Sequence, residues 1–331
     1  MRNIFLFLIC ALTSLGLNAQ IFDYADDNPI ELGKVSWLRN YDEALTKAEK
    51  EDKPIFILFQ EVPGCGNCTK YGQEIMSHPL IVEAIEDDFI PLAIYNNKNG
   101  HDKEVLDHFG EPSWNNPVVR MISKDGSFLG SRISNFNSTA LLISEMSKAL
   151  KKSKNQSPQY LKLLAEEFSA IENGSDDFYL SMFCFWTGEK EIAQLKGVIA
   201  TEAGFMHGRE VVKVKYDKSK TDIDRLATKA GQVKCADQVF TDVNAKGKFS
   251  YKKTGKYRKD IQDKYYLLHS PLKAIPMTNY QKAKVNSALG SGMDAMMFLS
   301  PRQLYLLEKS KKGANYIDKD IVKSWYTSTG R

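Results

Sequence analysis

The amino-acid sequence predicts two α/β domains. Its 331 residues exceed the usual size of one domain. Strand-like apolar runs alternate with amphipathic, helix-like segments in both halves of the chain. Between the halves, residues 151–159 are polar and have no apolar period, which is typical of a linker. We therefore place one domain at 37–150 and a second at 160–331.

The N-terminus has the pattern of a secretory signal peptide. Arg2 precedes the apolar run 4–12, and small and polar residues follow as far as Ala19. A basic start, a short apolar centre and a small residue at the cut are the features of such a signal. We expect cleavage near Ala19, export to the periplasm or the cell exterior, and an irregular lead-in over 20–36. The alternative is that residues 1–19 stay attached as an anchor.

The charge of the chain argues against some classes of partner. Lysine and arginine number 45 against 41 aspartate and glutamate, a net charge of +4. The basic residues are spread along the sequence, so we expect no nucleic-acid partner. No apolar stretch after the signal is long enough for a stable membrane span.

The first domain has the element order of a mixed α/β sheet. Its central run, 54–59, is apolar throughout, as in a buried parallel strand. The predicted elements in order are a helix over 41–50, that strand, a helix from 65 towards 85 interrupted near Pro79, a strand over 89–95, a helix over 103–109, a strand over 118–122, a hairpin turn at 124–126 with a second strand after it, and a helix over 138–150.

The second domain begins with a readable alternation of helices and strands. Its predicted elements are helices over 160–171, 189–195 and 222–230 and strands over 178–183, 198–205 and 210–216. Residues 240–331 have no pattern from which we can assign elements or a role. We class this domain as α+β.

Cysteine usage favours redox chemistry. Of five cysteines, Cys10 leaves with the signal peptide, and Cys65, Cys68, Cys184 and Cys235 remain. Two of the four form a Cys-x-x-Cys motif. In a chain of this length the motif favours thiol–disulfide exchange, and a structural disulfide is the alternative. A zinc site needs more ligands than this pair supplies. We expect neither a metal nor another cofactor.

The motif Cys65-Gly66-Asn67-Cys68 predicts a reactive thiol. If a helix begins here, the first sulfur faces unpaired backbone N–H groups and the positive end of the helix dipole, which favours the thiolate. The second sulfur lies one turn deeper, where it can attack a mixed disulfide. We therefore assign Cys65 as the attacking thiol and Cys68 as the resolving thiol.

Residues 37–150 resemble the thioredoxin superfamily. The parts that match are the strand 55–59, the Cys-x-x-Cys at a helix start, and Asn116-Pro117 before a strand. In that family a cis proline at this place lies against the active-site cysteines and holds the substrate backbone, which implies substrate binding by Pro117 and Asn116. The fold it implies is α/β.

The loop before the motif departs from the usual thioredoxin pattern. Val62-Pro63-Gly64 is similar to a subgroup in which some members carry selenocysteine at the position of Cys65. Thioredoxins bury an aspartate where this chain has Phe59. Glu61 is the nearest alternative proton acceptor in the sequence.

A second candidate site begins at Cys184-Phe185-Trp186. The cysteine follows a predicted strand and opens a helix, and exposed aromatic rings there attract a methyl-sulfur group. Glu210 begins a later strand and can supply a proton if the fold brings it close.

These residues resemble A-type methionine sulfoxide reductases. The matching blocks are Cys184-Phe185-Trp186, Glu189, Leu195-Lys196-Gly197-Val198, Ala203-Gly204-Phe205, Glu210-Val211-Val212 and Tyr216-Asp217. The resemblance implies attack on the sulfoxide by Cys184, methyl binding by Phe185 and Trp186, and protonation by Glu210. The chain departs from the family at Phe183, where a glycine is usual, and lacks a loop before Glu210. Cys235 is either a resolving thiol or a buried apolar residue.

The sequence thus predicts an exported thiol–disulfide oxidoreductase whose second domain reduces methionine sulfoxide in proteins. Its partners would be protein disulfides or methionine sulfoxide substrates and an upstream thiol electron donor. The alternative is a redox domain joined to a catalytically degenerate domain that binds a partner.

Overall fold

The computed structural model describes residues 27–134, 137–154, 158–232, 236–242, 251–310, 315–317 and 320–328. The predicted signal peptide (1–19) and the candidate resolving residue Cys235 lie outside these ranges. Within them, no helix is long and apolar enough to cross a membrane.

The first sheet has three strands. They are β1 (Ile55–Gln60), β2 (Ile90–Tyr95) and β3 (Val118–Ile122), in the spatial order β2-β1-β3. The central strand β1 is parallel to β2 and antiparallel to β3. All six residues of β1 are buried, because helices cover both faces of the sheet.

Five helices surround this sheet: α1 (Tyr41–Glu51), α2 (Gly66–Glu74), α3 (Pro79–Asp88), α4 (His101–Phe109) and α5 (Thr139–Lys154). The predicted interruption of the second helix is confirmed at Pro79, which lacks an N–H and occupies the first position of α3. Alternate residues of β1 enter two hydrophobic cores: Phe56 and Leu58 on one face, and Ile57 and Phe59 on the other.

Two details differ from the sequence prediction. After β3 the turn forms, but the second hairpin strand is reduced to two isolated bridges, Ile122 to Phe128 and Val119 to Ile133. The predicted linker at 151–159 overlaps α5, which extends to Lys154. Lysine is a good helix former, and Lys152 fixes this last turn by donating from Nζ to the Phe128 carbonyl at 2.9 Å.

Within the described ranges, the second sheet has six strands. Its elements are α6 (Gln159–Asn173), β4 (Ser175–Ser181), α7 (Phe185–Ile192), β5 (Val198–Met206), β6 (Arg209–Asp217), α8 (Ile223–Gln232), β7 (Gln238–Phe240), β8 (Tyr251–Lys252) and β9 (Arg258–Lys259). The spatial order is β8-β7-β4-β6-β5-β9, and only β7 and β8 are parallel neighbours. The central β4–α7–β5–β6–α8–β7 part forms two split βαβ units, as in ferredoxin-like motifs.

The remaining helices are α9 (Tyr265–Leu268), α10 (Asn279–Ser291), α11 (Pro301–Lys309) and α12 (Ile321–Ser328). Helix α12 returns to the first core, where Trp325 is fully buried together with Ile321. Leu161 and Leu164 of α6 also enter this core. The first core therefore includes side chains from both sides of the predicted domain boundary at 160.

The N-terminal turn of α11 is tied to α3. The Arg302 N–H donates to Glu83 at 2.8 Å, and the Arg302 guanidinium donates to Glu86 at 2.8 Å and to Asp87 at 2.7 Å. Because this arginine side chain is nearly buried, the ion pairs fix the position of α11 on the first domain.

Candidate functional site

The cysteine motif follows β1 and lies at the N-terminal end of α2. Cys65 has an extended backbone, with φ −74° and ψ 174°, and immediately precedes the first helical residue, Gly66. Its side chain is exposed, whereas Cys68 is buried one turn further on. The two sulfurs are 3.7 Å apart and are both thiols.

The N-terminal end of α2 makes Cys65 a more acidic thiol than Cys68. The backbone N–H of Cys68, followed by that of Asn67, lowers the pKa of Cys65 by hydrogen bonding to its sulfur, and the Cys68 thiol adds to this effect. Partial burial and the Glu61 carboxylate oppose the shift. The net lowering of the pKa favours the thiolate, the form that attacks disulfides.

Cys68 is held in the opposite state. Burial raises the pKa of Cys68 to about 12, and its hydrogen bond with Cys65 acts in the same direction. The Cys68 thiol also donates to Asn116 Oδ1, with a sulfur–oxygen distance of 2.8 Å. At neutral pH Cys68 is therefore protonated.

The loop before β3 completes the site. The Asn116–Pro117 peptide bond is cis, as the family resemblance implies, and Asn96 Nδ2 holds the loop through the Asn115 carbonyl at 2.9 Å. Asn116, which the sequence suggested as a substrate-binding residue, contacts Cys68 itself. Beside it Trp114 is 80% exposed. Its large ring lies open to solvent.

The proton acceptor suggested by the sequence lies close to both sulfurs. The carboxylate of Glu61 and the sulfurs of Cys65 and Cys68 lie within 4.8 Å of one another. A closed zinc site takes four ligands, and these side chains supply three. Phe59, at the position of the usual thioredoxin aspartate, is buried in the apolar core on the other face of the sheet.

Sequence reasoning missed two residues next to the motif. Gln60 is fully buried, and its Nε2 donates to the carbonyls of Glu31 at 2.9 Å and of Cys68 at 3.3 Å. Glu31 accepts the Gly64 N–H at 2.8 Å. Glutamine at the end of an otherwise apolar strand was a weak signal for Gln60, but no motif marked Glu31.

The second candidate site also lies at a helix start. Cys184 is half-buried and directly precedes α7. The pairing of β4 with β6 brings Glu210 to the same point, where its Oε2 accepts the Phe185 N–H at 2.9 Å. Glu210 therefore caps α7 at Phe185, the residue after Cys184.

The aromatic residues of this site are not arranged as the sequence suggested. Phe185 is only 5% exposed and packs on Phe205, with ring centroids 5.2 Å apart. Trp186 stacks on Tyr265 at 4.2 Å. The expectation of an exposed Phe–Trp pair is therefore wrong, because the inward face of α7 buries one ring and Tyr265 covers the other. Phe183 is instead fully exposed.

Glu189, one of the matching blocks, lies in a buried ionic cluster. Its carboxylate accepts from Lys264 Nζ at 2.7 Å and from the Lys264 N–H at 3.0 Å. The same ammonium group donates to Asp263 at 2.9 Å. These paired charges join α7 to the segment before α9, and nothing in the sequence identified Lys264 as the partner.

Comparison with known proteins supports the thioredoxin-like assignment of the first domain. Residues 36–124 match a family model described as thioredoxin-like. Two solved structures are similar to part of the chain. A "DsbH Oxidoreductase" shares 22% identity with a TM-score of 0.31, covering 38% of this chain and 90% of that one. A thioredoxin from Thermus thermophilus shares 18% identity with a TM-score of 0.32, covering 36% and 90%. No curated protein matches the chain.

The family match identifies the first domain as thioredoxin-like. It covers the strands of the first sheet, the cysteine motif and the cis-proline loop. It ends before the second sheet, so the resemblance of residues 160–331 to methionine sulfoxide reductases stays a prediction.

Proposed function

We propose that the protein is a thiol–disulfide oxidoreductase that acts through Cys65 and Cys68. The observation that carries this proposal is the contrast between an exposed thiol of lowered pKa and a buried, protonated thiol 3.7 Å behind it. Such a pair separates attack from resolution, as disulfide exchange requires.

The reaction consists of two exchange steps. The Cys65 thiolate attacks a substrate disulfide, forming a mixed disulfide and releasing one substrate thiolate. Cys68 then loses its proton and attacks Cys65 Sγ, forming the Cys65–Cys68 disulfide and releasing the second substrate thiolate. Two electrons pass from the protein to the substrate, and an upstream dithiol restores the reduced form. Glu61 is our candidate for the base that receives the Cys68 proton.

Reduction of insulin by the full-length protein with dithiothreitol as donor tests this function. We expect turnover that Cys65→Ser abolishes, together with a Cys65 thiol that is alkylated at pH values where ordinary thiols are protonated. With Cys68→Ser we expect a mixed disulfide that accumulates and is visible by mass spectrometry. A protein that neither reduces insulin nor contains an acidic Cys65 would disprove the proposal.

The finer proposal couples this pair to methionine sulfoxide reduction at Cys184. It is supported by Glu210, whose carboxylate is hydrogen-bonded at the start of the helix that Cys184 precedes. The Cys184 thiolate would take the sulfoxide oxygen and, with a proton passed on by Glu210, become a sulfenic acid while the substrate becomes methionine. Cys65 would then form a disulfide with Cys184, releasing water, and Cys68 would resolve it.

Two measurements test this coupling. Consumption of a methionine sulfoxide peptide should depend on both Cys184 and Cys65, and Cys68→Ser should trap a Cys65–Cys184 cross-link. The alternative is a degenerate domain that binds a partner, and the burial of Phe185 favours it. If Cys184→Ala leaves every redox activity unchanged, the alternative is correct.

Export is also part of the proposal and rests on the basic and apolar pattern of residues 1–19. The N-terminal sequence of protein recovered from the producing cells tests it. We expect the mature chain to begin next to Ala19, and an intact N-terminus would favour a retained anchor.

A further inference from the structure

The segment before α1 is built into the cysteine site. Residues Ile30–Leu32 form a short 3-10 helix, and Leu32 is buried in the first core. It lies directly against α2: a Cβ atom on Gly72 would be 2.1 Å from the Ile30 carbonyl oxygen and 2.5 Å from the Glu31 carbonyl carbon. The turn and α2 therefore pack backbone against backbone at Gly72.

Glu31 connects this turn to both ends of the active-site loop. Its Oε1 accepts the Gly64 N–H at 2.8 Å, a charge-assisted bond. Its main-chain carbonyl accepts from Gln60, the last residue of β1, at 2.9 Å. Glu31 is only 6% exposed, so water competes little for these contacts.

Gly64 transmits the position of Glu31 to the thiols. A Cβ atom on Gly64 would lie 2.6 Å from Cys68 Cβ and 3.2 Å from Cys68 Sγ, so the main chain here packs directly on the buried thiol. Gly64 is also the residue before Cys65. A displacement of Gly64 would therefore move Cys65 Sγ relative to the N–H groups of Asn67 and Cys68.

We propose that Glu31 is a positioning residue for the redox pair. By holding the Gly64 N–H, it keeps Cys65 Sγ at the start of α2 and within reach of Cys68 Sγ. It acts through the loop rather than on the sulfurs. This inference rests on the proposed function and adds to the site a residue from outside the predicted domain.

The pH dependence of Cys65 alkylation tests this role. Reduced full-length protein is treated with iodoacetamide between pH 5 and pH 10, and mass spectrometry follows the peptide that contains Cys65. Glu31→Ala should move the midpoint to higher pH and slow alkylation at neutral pH about tenfold, equivalent to one pKa unit. Glu31→Gln keeps an oxygen acceptor and should stay within about twofold of the wild type.

A matched variant controls for loss of a carboxylate in general. Glu49→Ala removes an exposed glutamate of α1, whose nearest ion-pair distance is 3.9 Å, and should leave the profile unchanged. If Glu31→Ala does not fold, Glu31→Asp replaces it. The aspartate is one methylene shorter, retracts the carboxylate from Gly64, and should also move the midpoint to higher pH.

Three outcomes are distinguishable. A folded Glu31→Ala or Glu31→Asp protein with the wild-type profile overturns the positioning role. A Glu31→Gln midpoint below that of the wild type also overturns it, since the charge and not the hydrogen bond would then control Cys65. A wild-type protein with an ordinary thiol profile contradicts the proposed function itself, whatever the variants do.

Discussion

The two cysteines of the motif show how much one turn of helix changes a side chain. Cys65 is exposed at the end of α2 and is bonded by two backbone N–H groups, so its pKa is lowered. Cys68 is buried, so its pKa is raised to about 12. The same chemical group is therefore more acidic in one position and less acidic in the other.

Asn116 should control the resolving step. Its Oδ1 holds the Cys68 thiol at 2.8 Å, and Asn116→Ala leaves that thiol without this partner. This bond stabilises the protonated thiol by about 1 kcal/mol, and Cys68 must lose its proton to attack, so we expect the mixed disulfide on Cys65 to resolve about fivefold faster. Rapid quenching with acid and mass spectrometry measure the lifetime.

The matched control for this prediction is Asn173→Ala. Its amide donates to Ser169 Oγ within α6, and the change should leave the lifetime as in the wild type. Equal lifetimes for Asn116→Ala and the control would mean that the hydrogen bond to Asn116 does not restrain Cys68.

Single residues were predictable where a local motif marks them. Cys65, Cys68 and Asn116 belong to patterns that can be read along the chain, and the structure brings them together. Glu31 could not be found this way, because its bond to Gly64 joins residues 33 positions apart. The predicted exposure of Phe185 was wrong for another reason: an aromatic residue at a helix start fits a core as well as a binding surface.

At the scale of elements, α2 is fixed by its contact with the turn Ile30–Leu32. A glycine inside a helix normally weakens it, and replacement by alanine normally stabilises by up to about 1 kcal/mol. Gly72 reverses this rule, since its missing Cβ leaves the space that the Ile30 carbonyl occupies.

We therefore expect Gly72→Ala to destabilise the protein by about 1–3 kcal/mol, the usual cost of overpacking. Chemical denaturation followed by circular dichroism measures the change. Gly66, in the same helix, has nothing within 4 Å of its Cβ position, so Gly66→Ala should not lower the free energy of unfolding. Equal effects of the two substitutions would argue against the tight contact.

Elements were predictable in proportion to the strength of their periodic pattern. The apolar run that became β1 and the proline that separates α2 from α3 were strong signals. The prediction of a strand after β3 was wrong, since only two isolated bridges form there. The turn at Ile30–Leu32 is too short to have a period, and its stability comes from tertiary contacts with α2.

At the scale of the whole molecule, the first core is closed by distant parts of the chain. Trp325 of α12 is fully buried there, although it lies far beyond the second sheet in sequence. His78, which precedes α3, packs edge-on against Phe168 of α6 at 5.6 Å. Stability of the redox domain therefore depends on residues outside the region that matches the family.

Trp325→Ala should destabilise the protein by about 3–5 kcal/mol, because it leaves a large cavity in the first core. Denaturation of the full-length protein, followed by circular dichroism, measures this loss. The same substitution at Trp114, which is 80% exposed, should change the free energy of unfolding by no more than about 0.5 kcal/mol. A small effect at Trp325 would show that α12 is dispensable for this core.

His78 should make stability depend on pH. Burial lowers the pKa of His78 to about 4, although the nearby Asp320 carboxylate acts in the opposite direction. Between that value and the unfolded pKa of about 6.5, the unfolded chain binds a proton that the folded protein excludes. The contribution of His78 is therefore present above pH 6.5 and is lost as the pH falls towards 4.

The test compares the wild type with His78→Gln at pH 7 and pH 4. We expect the difference in unfolding free energy, wild type minus variant, to fall by about 3 kcal/mol between the two conditions. Buried carboxylates such as Glu83 titrate in both proteins and cancel in this difference. A difference that does not change with pH would place a charged histidine in the folded protein.

The position of α12 has a consequence for how the protein is made. Domains usually complete folding in the order in which they leave the ribosome. Here the first domain, which contains the cysteine motif, emerges early. Its core includes Trp325, however, which is synthesised after the second sheet. Nascent chains should therefore carry an unfinished redox unit, with its apolar interior open to chaperones, until translation has passed this tryptophan.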